Sequence, residues 1–366
     1  MNRLDKGRIS ALQMGLMLYP TVLATGLITL PSISAQYAKN DLWLPPLLAT
    51  LVGLLTIYLA TRLHELYPKQ TVIQYSGQIL GKIPGKIVGV VYFCFLAQIT
   101  GVITREYADF VSGNFLFTTP ILLIISTILL LAGIAVRGGV EMLARNAVIF
   151  TPIFILPFFI LLLLIPDLDV KNIFPVLEHG VIPSIKGAAM PQAWFSECML
   201  MSFFLPSLVD PQKGRKAAVL ALIAIVASMI YINLFLLFLL GPDTGVKMYP
   251  VLVAFRYISV ANLESLLLAM WVVGNYIKIG VFYYATSISF GQMMNLSDYR
   301  PAVFPIGLLI VVFSLWDLPN FPRLGLFLRT VVPFEIPTVL LLIPLLLLVG
   351  ALIRKRKSSV QGESSR

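Results

Sequence analysis

Long apolar blocks separated by short polar stretches dominate the chain. Each block runs for roughly 20 residues, the length at which an α-helix crosses a ~30 Å hydrocarbon core. The pattern predicts spans at residues 11–36, 43–64, 87–112, 119–136, 147–166, 187–209, 217–240, 263–289, 302–316 and 333–353. Barrel strands would instead alternate apolar and polar positions. The predicted fold class is therefore an all-α polytopic membrane protein with ten transmembrane helices.

Composition excludes a soluble protein of this size. Of the 366 residues, 58% are hydrophobic and only 12% are charged, against about 45–50% and about 25% in soluble domains. Cys94 and Cys198 both lie inside apolar blocks, which argues against a disulfide framework or a zinc site. His64 and His179 fall in loops on opposite sides of the membrane, and the sequence has no phosphate loop or nucleophile motif. We therefore expect no metal, no cofactor and no enzymatic activity.

The positions of the positive charges predict the orientation. With the N-terminus inside, 18 of the 27 Lys and Arg residues fall in cytoplasmic segments and seven in external loops, as the positive-inside rule requires. Both termini are then cytoplasmic. Residues 1–353 form one transmembrane domain, and residues 354–366 form a basic tail that we expect to be disordered. Topology accounts for the basic tail, and no domain is present to bind nucleic acid.

Spans 1 and 6 each have a small or polar cluster near mid-span, and helix breakers bound it. Span 1 has Pro20, Gly26 and Pro31, and span 6 has Pro191 and Pro206. Proline removes a helix hydrogen bond, and glycine lowers the cost of leaving helical dihedrals. The sequence therefore predicts that both helices are interrupted at mid-depth.

The two interrupted spans lie five apart along the chain. If residues 11–166 and 187–353 are repeats, this odd number makes the second copy inverted in the membrane. Interrupted helices at corresponding positions of inverted repeats point to a solute site. Residues 248–258 are apolar but too short to span, and we expect a short helix in an outer gate. The candidate ligand-binding residues are Ala24, Thr25, Gly26, Phe95, Ile99, Ser196, Glu197 and Lys278.

Charged residues inside the membrane need a reason, since each costs at least ~2.5–3.5 kcal/mol at mid-depth. Arg105 and Asp109 are four apart on one helix face and predict a structural ion pair, with a proton relay as the alternative. Glu197 either binds a cationic group or a proton, or caps amide groups freed by the break. Lys278 either contacts the solute or pairs with Glu197.

Several short motifs resemble one known family. They are Gly26–Pro31, Asp169–Leu177 with Gly180, Glu264–Ser265 followed by Trp271, Ser314–Trp316, and Thr104–Arg105 with Asp109 ahead of Thr119–Pro120. In this order and spacing they resemble the spore germinant-receptor B subunits, a branch of the amino acid–polyamine–organocation transporter superfamily. The resemblance covers the whole chain.

This resemblance implies a five-plus-five inverted-repeat fold and a receptor subunit that binds a small nutrient, most simply an amino acid, to trigger spore germination. It also implies a multi-pass A subunit and a lipoprotein C subunit as partners, and a location in the spore inner membrane. In that fold span 8 faces span 1 where sodium-coupled members hold a cation, so the Lys278 ammonium would replace sodium. The alternative function is a proton-coupled or exchanging amino acid transporter.

Overall fold

The computed structural model describes residues 4–258, 263–316 and 320–363. Residues 1–3 of the charged N-terminus, residues 259–262, residues 317–319 and residues 364–366 of the tail lie outside this part. The helices are α1 Ala11–Ala38, α2 Leu44–Leu66, α3 Val72–Leu80, α4 Lys82–Asn114, α5 Ile121–Arg137, α6 Val140–Ile160, α7 Ile182–Gly187, α8 Ala189–Ser196, α9 Met201–Phe204, α10 Gly214–Leu240, α11 Pro250–Tyr257, α12 Leu263–Met293, α13 Val303–Trp316, α14 Phe321–Thr330, α15 Val332–Pro337 and α16 Ile343–Glu363.

Seven of the described helical stretches are long and apolar enough to cross a membrane, and they contain α1, α2, α4, α6, α10, α12 and α16. Two shorter apolar helices, α5 and α13, lie among them. Helix α1 is the most deeply buried, and it packs against α6, α10 and α12. The centre of the protein is therefore built around α1.

Helix α1 is continuous, so the predicted interruption of span 1 is wrong for this structure. The helix starts at a capping box in which Ser10 accepts from the Gln13 amide and the Gln13 side chain accepts from the Ser10 amide. Pro20 lacks the amide hydrogen that would bond the Leu16 carbonyl. The Thr151 hydroxyl of α6 donates to that carbonyl at 2.8 Å. A neighbouring helix thus satisfies the group that the proline leaves free, and the helix persists.

Span 6 does consist of short pieces. Helix α8 ends at Ser196, a 3₁₀ turn covers Glu197–Leu200, α9 follows, and a second 3₁₀ turn covers Leu205–Ser207. The tighter 3₁₀ geometry often marks a functional or strained point in a helix. Glu197 lies at the first of these transitions, close to where the sequence predicts it.

The N-terminal segment packs against the loops on its own side of the bundle. The Ile9 amide donates to the Ser207 carbonyl, and the Val209 amide donates to the Ile9 carbonyl, both at 3.0 Å. The Asp5 carboxylate accepts from the Val140 amide at 2.8 Å. The N-terminus, the α5–α6 turn and the segment after α9 therefore meet on one side.

The other set of loops meets at the opposite end. The Leu177 amide donates to Asp41 at 2.9 Å, and the Gln36 side chain donates to the Gly245 carbonyl at 3.0 Å. Helix α11, which the sequence predicts as a short outer helix, follows Gly245 in this region. The loops thus fall into two groups at opposite ends of the bundle.

Three features differ from the sequence-based expectations. Helices α3 and α14 lie in stretches predicted as loops. Helix α16 extends into the tail and ends at Glu363, where the sequence predicts a disordered segment. Arg354 in this helix donates to the carbonyls of Gln78 and Ile79 at the end of α3. Those carbonyls lack partners within their own helix, so the contact holds the start of the tail in place.

Candidate functional site

A buried ion pair lies at the centre of the bundle. The Lys278 Nζ of α12 is 2.9 Å from both carboxylate oxygens of Glu197. The two side chains are 0% and 1% exposed. Charges taken out of water carry a large desolvation cost, which only close and well-oriented partners offset. The sequence leaves two roles open for Lys278, contact with the solute or pairing with Glu197. In this structure Lys278 pairs with Glu197.

Two tryptophans donate hydrogen bonds to the middle of α1, and Trp194 also lies beside the ion pair. The indole of Trp194 lies 5.8 Å from the Lys278 ammonium, within cation–π range. Its Nε1 donates to the Thr25 hydroxyl at 2.8 Å. The Trp271 Nε1 donates to the Ala24 carbonyl. The predicted site residues of α1, of the 3₁₀ turn after α8 and of α12 therefore meet in one hydrogen-bonded and ion-paired cluster.

Trp194 also occupies the space beside Gly26. A Cβ atom on Gly26 would lie 3.5 Å from Trp194 Cδ1 and 3.2 Å from Leu30 Cδ1. The cluster is thus closely packed at this position. A guest molecule would enter only if the Trp194 side chain moved.

The other predicted residues contribute differently. Phe95 and Ile99 are buried on α4 and belong to the apolar core. The Ser196 hydroxyl donates to the Gln192 carbonyl at 2.8 Å, one turn back in its own helix. Ser196 therefore makes no hydrogen bond to the central cluster, although it is next to Glu197.

A second buried carboxylate, Glu106 of α4, was not among the predicted site residues. It accepts from the Thr29 hydroxyl of α1 at 3.1 Å. The sequence does contain a signal for it. Arg105 pairs with Asp109, four residues further on, Nε to Oδ2 at 3.0 Å. Adjacent residues of an α-helix are about 100° apart around its axis. Glu106 therefore lies on a different side of the helix from Arg105.

Two cavities lie on the side of the cluster away from the N-terminus. A cavity of about 50 Å³ is lined by Glu106, Thr29, Tyr249 and Arg329, among others. A larger one of about 470 Å³ is lined by Asp109, Lys247, Tyr249 and Arg256, among others. Met248 and Tyr249 line both cavities.

Aromatic contacts connect Tyr249 to the central cluster. Its ring meets Phe110 edge-on at 4.9 Å, and Phe110 meets Trp271 at 4.2 Å. Burial, and then the nearby carboxylates of Glu106 and Asp109, raise the pKa of the Tyr249 phenol above its usual value. The phenol is therefore neutral and can donate a hydrogen bond.

On the N-terminal side of the cluster, hydrogen bonds to Asp5 join the N-terminal segment to α6 and α12. This carboxylate accepts from the amides of Gly7 and Val140, both at 2.8 Å, and from the Tyr284 hydroxyl at 3.1 Å. The Tyr299 hydroxyl lies 3.4 Å away. Burial, followed by the charge of Asp5, raises the pKa of Tyr299.

The fold defines a class of membrane protein. A crystal structure of MhsT in complex with L-phenylalanine aligns with a TM-score of 0.64 at 12% identity, covering 96% of this chain and 99% of MhsT. A Na⁺-coupled sialic acid symporter aligns with a TM-score of 0.65 at 13% identity, covering 92% of this chain and 79% of the symporter. The chain has the fold of these transporters.

The family follows from sequence comparison. A family model described as "Spore germination protein" matches residues 8–322. Spore germination protein KB of Bacillus subtilis (strain 168) is 26% identical, over 99% of this chain and 100% of the relative. The chain therefore belongs to the spore germination protein family, the B subunits of germinant receptors.

Proposed function

We propose that the chain is the solute-sensing membrane subunit of a germinant receptor and that it carries out no catalysis. A small amino acid binds beside α1, in a space that opens between Gly26, Trp194 and the Glu197–Lys278 pair. The ion pair is the observation that carries this proposal. Ionisable side chains within membrane helices are rare and mark solute or ion sites by default.

The ion pair suits a zwitterionic solute. An amino acid carries an ammonium group that matches Glu197 and a carboxylate that matches Lys278. Insertion of the solute between them exchanges one pair of charge contacts for two, so neither buried charge loses its partner. The Thr25 hydroxyl and the Ala24 carbonyl, which the indoles now occupy, become available when the indoles move.

The solute reaches this site from the side of the larger cavity. It passes Tyr249 into the small cavity beside Glu106 and Thr29, and then reaches the cluster. Helix α11, which follows Tyr249 directly, serves as part of an outer gate. The N-terminal segment closes the opposite side through Asp5.

We further propose that the chain crosses the membrane ten times, as a single domain of residues 1–353 with inverted repeats at 11–166 and 187–353. The separation of the loops into two groups at opposite ends of the bundle supports this count. The α7–α9 segment makes the sixth crossing in pieces, and α15 with α16 makes the tenth. The loop charges support cytoplasmic termini.

Lys278 replaces a coupling cation in this proposal. The similar symporter is described as Na⁺-coupled, whereas here an ammonium group lies on α12 opposite the centre of α1. Solute binding should therefore have the same dissociation constant in sodium chloride and in choline chloride. A dissociation constant at least tenfold lower in sodium would contradict this role.

The test of the receptor role uses spores that carry variants of this chain. Gly26→Trp fills the space between α1 and Trp194, and we expect loss of the response to the nutrient. Leu51→Trp is the matched control, because Leu51 is 69% exposed on α2. Loss of optical density after nutrient addition measures germination. An unchanged response in Gly26→Trp spores would refute the proposed site.

The transporter fold supports a second candidate, a proton-coupled or exchanging amino acid transporter. Transport requires the Asp5 contacts to open, whereas sensing does not. Uptake of radiolabelled amino acid by the purified chain in liposomes distinguishes the two. Accumulation that Gly26→Trp abolishes would favour the transporter.

Family membership supports the partners and the location. We propose that the chain assembles with a multi-pass A subunit and a lipoprotein C subunit in the spore inner membrane. Affinity purification of the full chain from spore membranes tests this assembly. Recovery of the chain without either subunit would contradict it.

A further inference from the structure

An apolar groove runs along the outside of the bundle between α1, α6 and α10. Its volume is about 460 Å³, and it is open to the lipid-facing surface. At the end of α10 where the helix begins, Lys213 and Lys216 line the groove. None of these residues belongs to the central cluster.

The groove exists because small side chains line its α10 wall. Ala217, Ala221 and Ala224 project little surface into it, while Leu12 and Leu220 line it with exposed side chains. Helix α1 contributes Gly15, where a Cβ atom would be 3.3 Å from the Ala217 carbonyl oxygen. Larger residues on these helices would fill the groove.

Polar groups of the groove already have partners. The Thr151 hydroxyl donates to the Leu16 carbonyl, and the Tyr19 hydroxyl shares a 2.7 Å hydrogen bond with Ser228. What remains for a guest is apolar surface. A guest at this surface therefore needs a long hydrocarbon portion.

The dimensions fit one acyl chain. From Lys213 to Ala224 the groove follows α10 for about 16 Å at ~1.5 Å per residue, close to half of a ~30 Å hydrocarbon core. This length suits one acyl chain in a single leaflet.

The charge at the end of the groove selects the headgroup. Lys216 is exposed and makes no ion pair with any carboxylate in the residues that the structure describes. Lys213 contacts Asp210 at 2.9 Å but is itself 74% exposed. Basic pockets between membrane helices bind acidic lipid headgroups. We propose that this groove binds an anionic phospholipid, with one acyl chain between α1 and α10 and the phosphate at Lys213 and Lys216.

The headgroup test measures lipid binding to the purified full chain by native mass spectrometry during titration with phosphatidylglycerol or phosphatidylcholine. Wild type should bind phosphatidylglycerol more tightly than phosphatidylcholine. The double variant Lys213→Gln with Lys216→Gln should bind phosphatidylglycerol about 20- to 30-fold more weakly, since each surface lysine contributes ~1 kcal/mol towards acidic lipid. The control, Lys82→Gln with Lys86→Gln, changes the net charge equally on exposed α4 residues and should leave binding unchanged.

The acyl-chain test uses a separate pair of variants on α10. Ala224→Phe fills the groove and should weaken phosphatidylglycerol binding while both lysines remain. Ala227→Phe is the control, because Ala227 is exposed but does not line the groove. Inorganic phosphate should not displace the lipid. Three results would overturn the proposal. Wild type could bind both lipids equally, the two double-lysine variants could lose phosphatidylglycerol binding equally, or Ala224→Phe could bind phosphatidylglycerol as tightly as wild type.

Discussion

Removing one member of the Glu197–Lys278 pair tests whether the buried charges act as one unit. In Lys278→Met the carboxylate of Glu197 remains, 1% exposed and without its nearest cation. Breaking a buried ion pair on one side costs about 3–5 kcal/mol, because the remaining charge stays desolvated. Glu197→Gln leaves the ammonium in the same position, and we expect a cost of similar size.

The double variant separates the interaction from the two side chains. When both charges are replaced, no uncompensated charge remains, and buried pairs replaced by neutral residues are often close to neutral in stability. Glu197→Gln with Lys278→Met should therefore melt well above either single variant. The coupling between the two positions should be at least ~3 kcal/mol, beyond the 0.5–3 kcal/mol usual for residues in contact.

Thermal unfolding of the purified protein in detergent, followed by tryptophan fluorescence, provides the melting temperatures. Arg62 and Glu65 form an exposed pair at 2.7 Å, and exposed pairs contribute little, so Arg62→Met serves as the control and should hardly change the melting temperature. Additive losses, with the double variant melting below both single variants, would refute the claim that the two charges form one coupled unit.

Two further results are expected from other parts of the bundle. Thr151→Val removes the hydroxyl that donates to the Leu16 carbonyl, and the unsatisfied carbonyl should cost about 1–3 kcal/mol of stability. This variant should melt below the control Thr127→Val, because the Thr127 hydroxyl bonds only within its own helix. Equal melting temperatures of the two variants would contradict this. Asp5→Asn weakens hydrogen bonds to a charged acceptor, each contributing about 1.5–3 kcal/mol, so this variant should melt below wild type. An unchanged melting temperature would show that the Asp5 contacts do not hold the N-terminal segment against the bundle.

The apolar pattern predicts most of the helices because membrane spans must satisfy their own backbone and expose apolar surface. It places Glu197 and Lys278 in helices, but it does not show that they meet. Their contact depends on how α8 and α12 pack, and local spacing carries no information about that. The same limit applies to Glu106, whose partner Thr29 is on another helix.

The predicted break in α1 shows where local reasoning fails. Pro20 does free a carbonyl, as the sequence implies, but the Thr151 hydroxyl from a helix more than a hundred residues away satisfies it. Span 6 has prolines too, and there the chain does change to 3₁₀ geometry. Helix α3 is missed for another reason, because it is only nine residues long and too short to resemble a span.

Direct binding tests the central claim most sharply. The purified chain is titrated with the common amino acids by isothermal calorimetry, as wild type, Gly26→Trp and Leu51→Trp. The account predicts saturable binding of at least one amino acid to wild type and Leu51→Trp, and none to Gly26→Trp. Equal affinity of Gly26→Trp and wild type, or no binding of any amino acid to wild type, would contradict it.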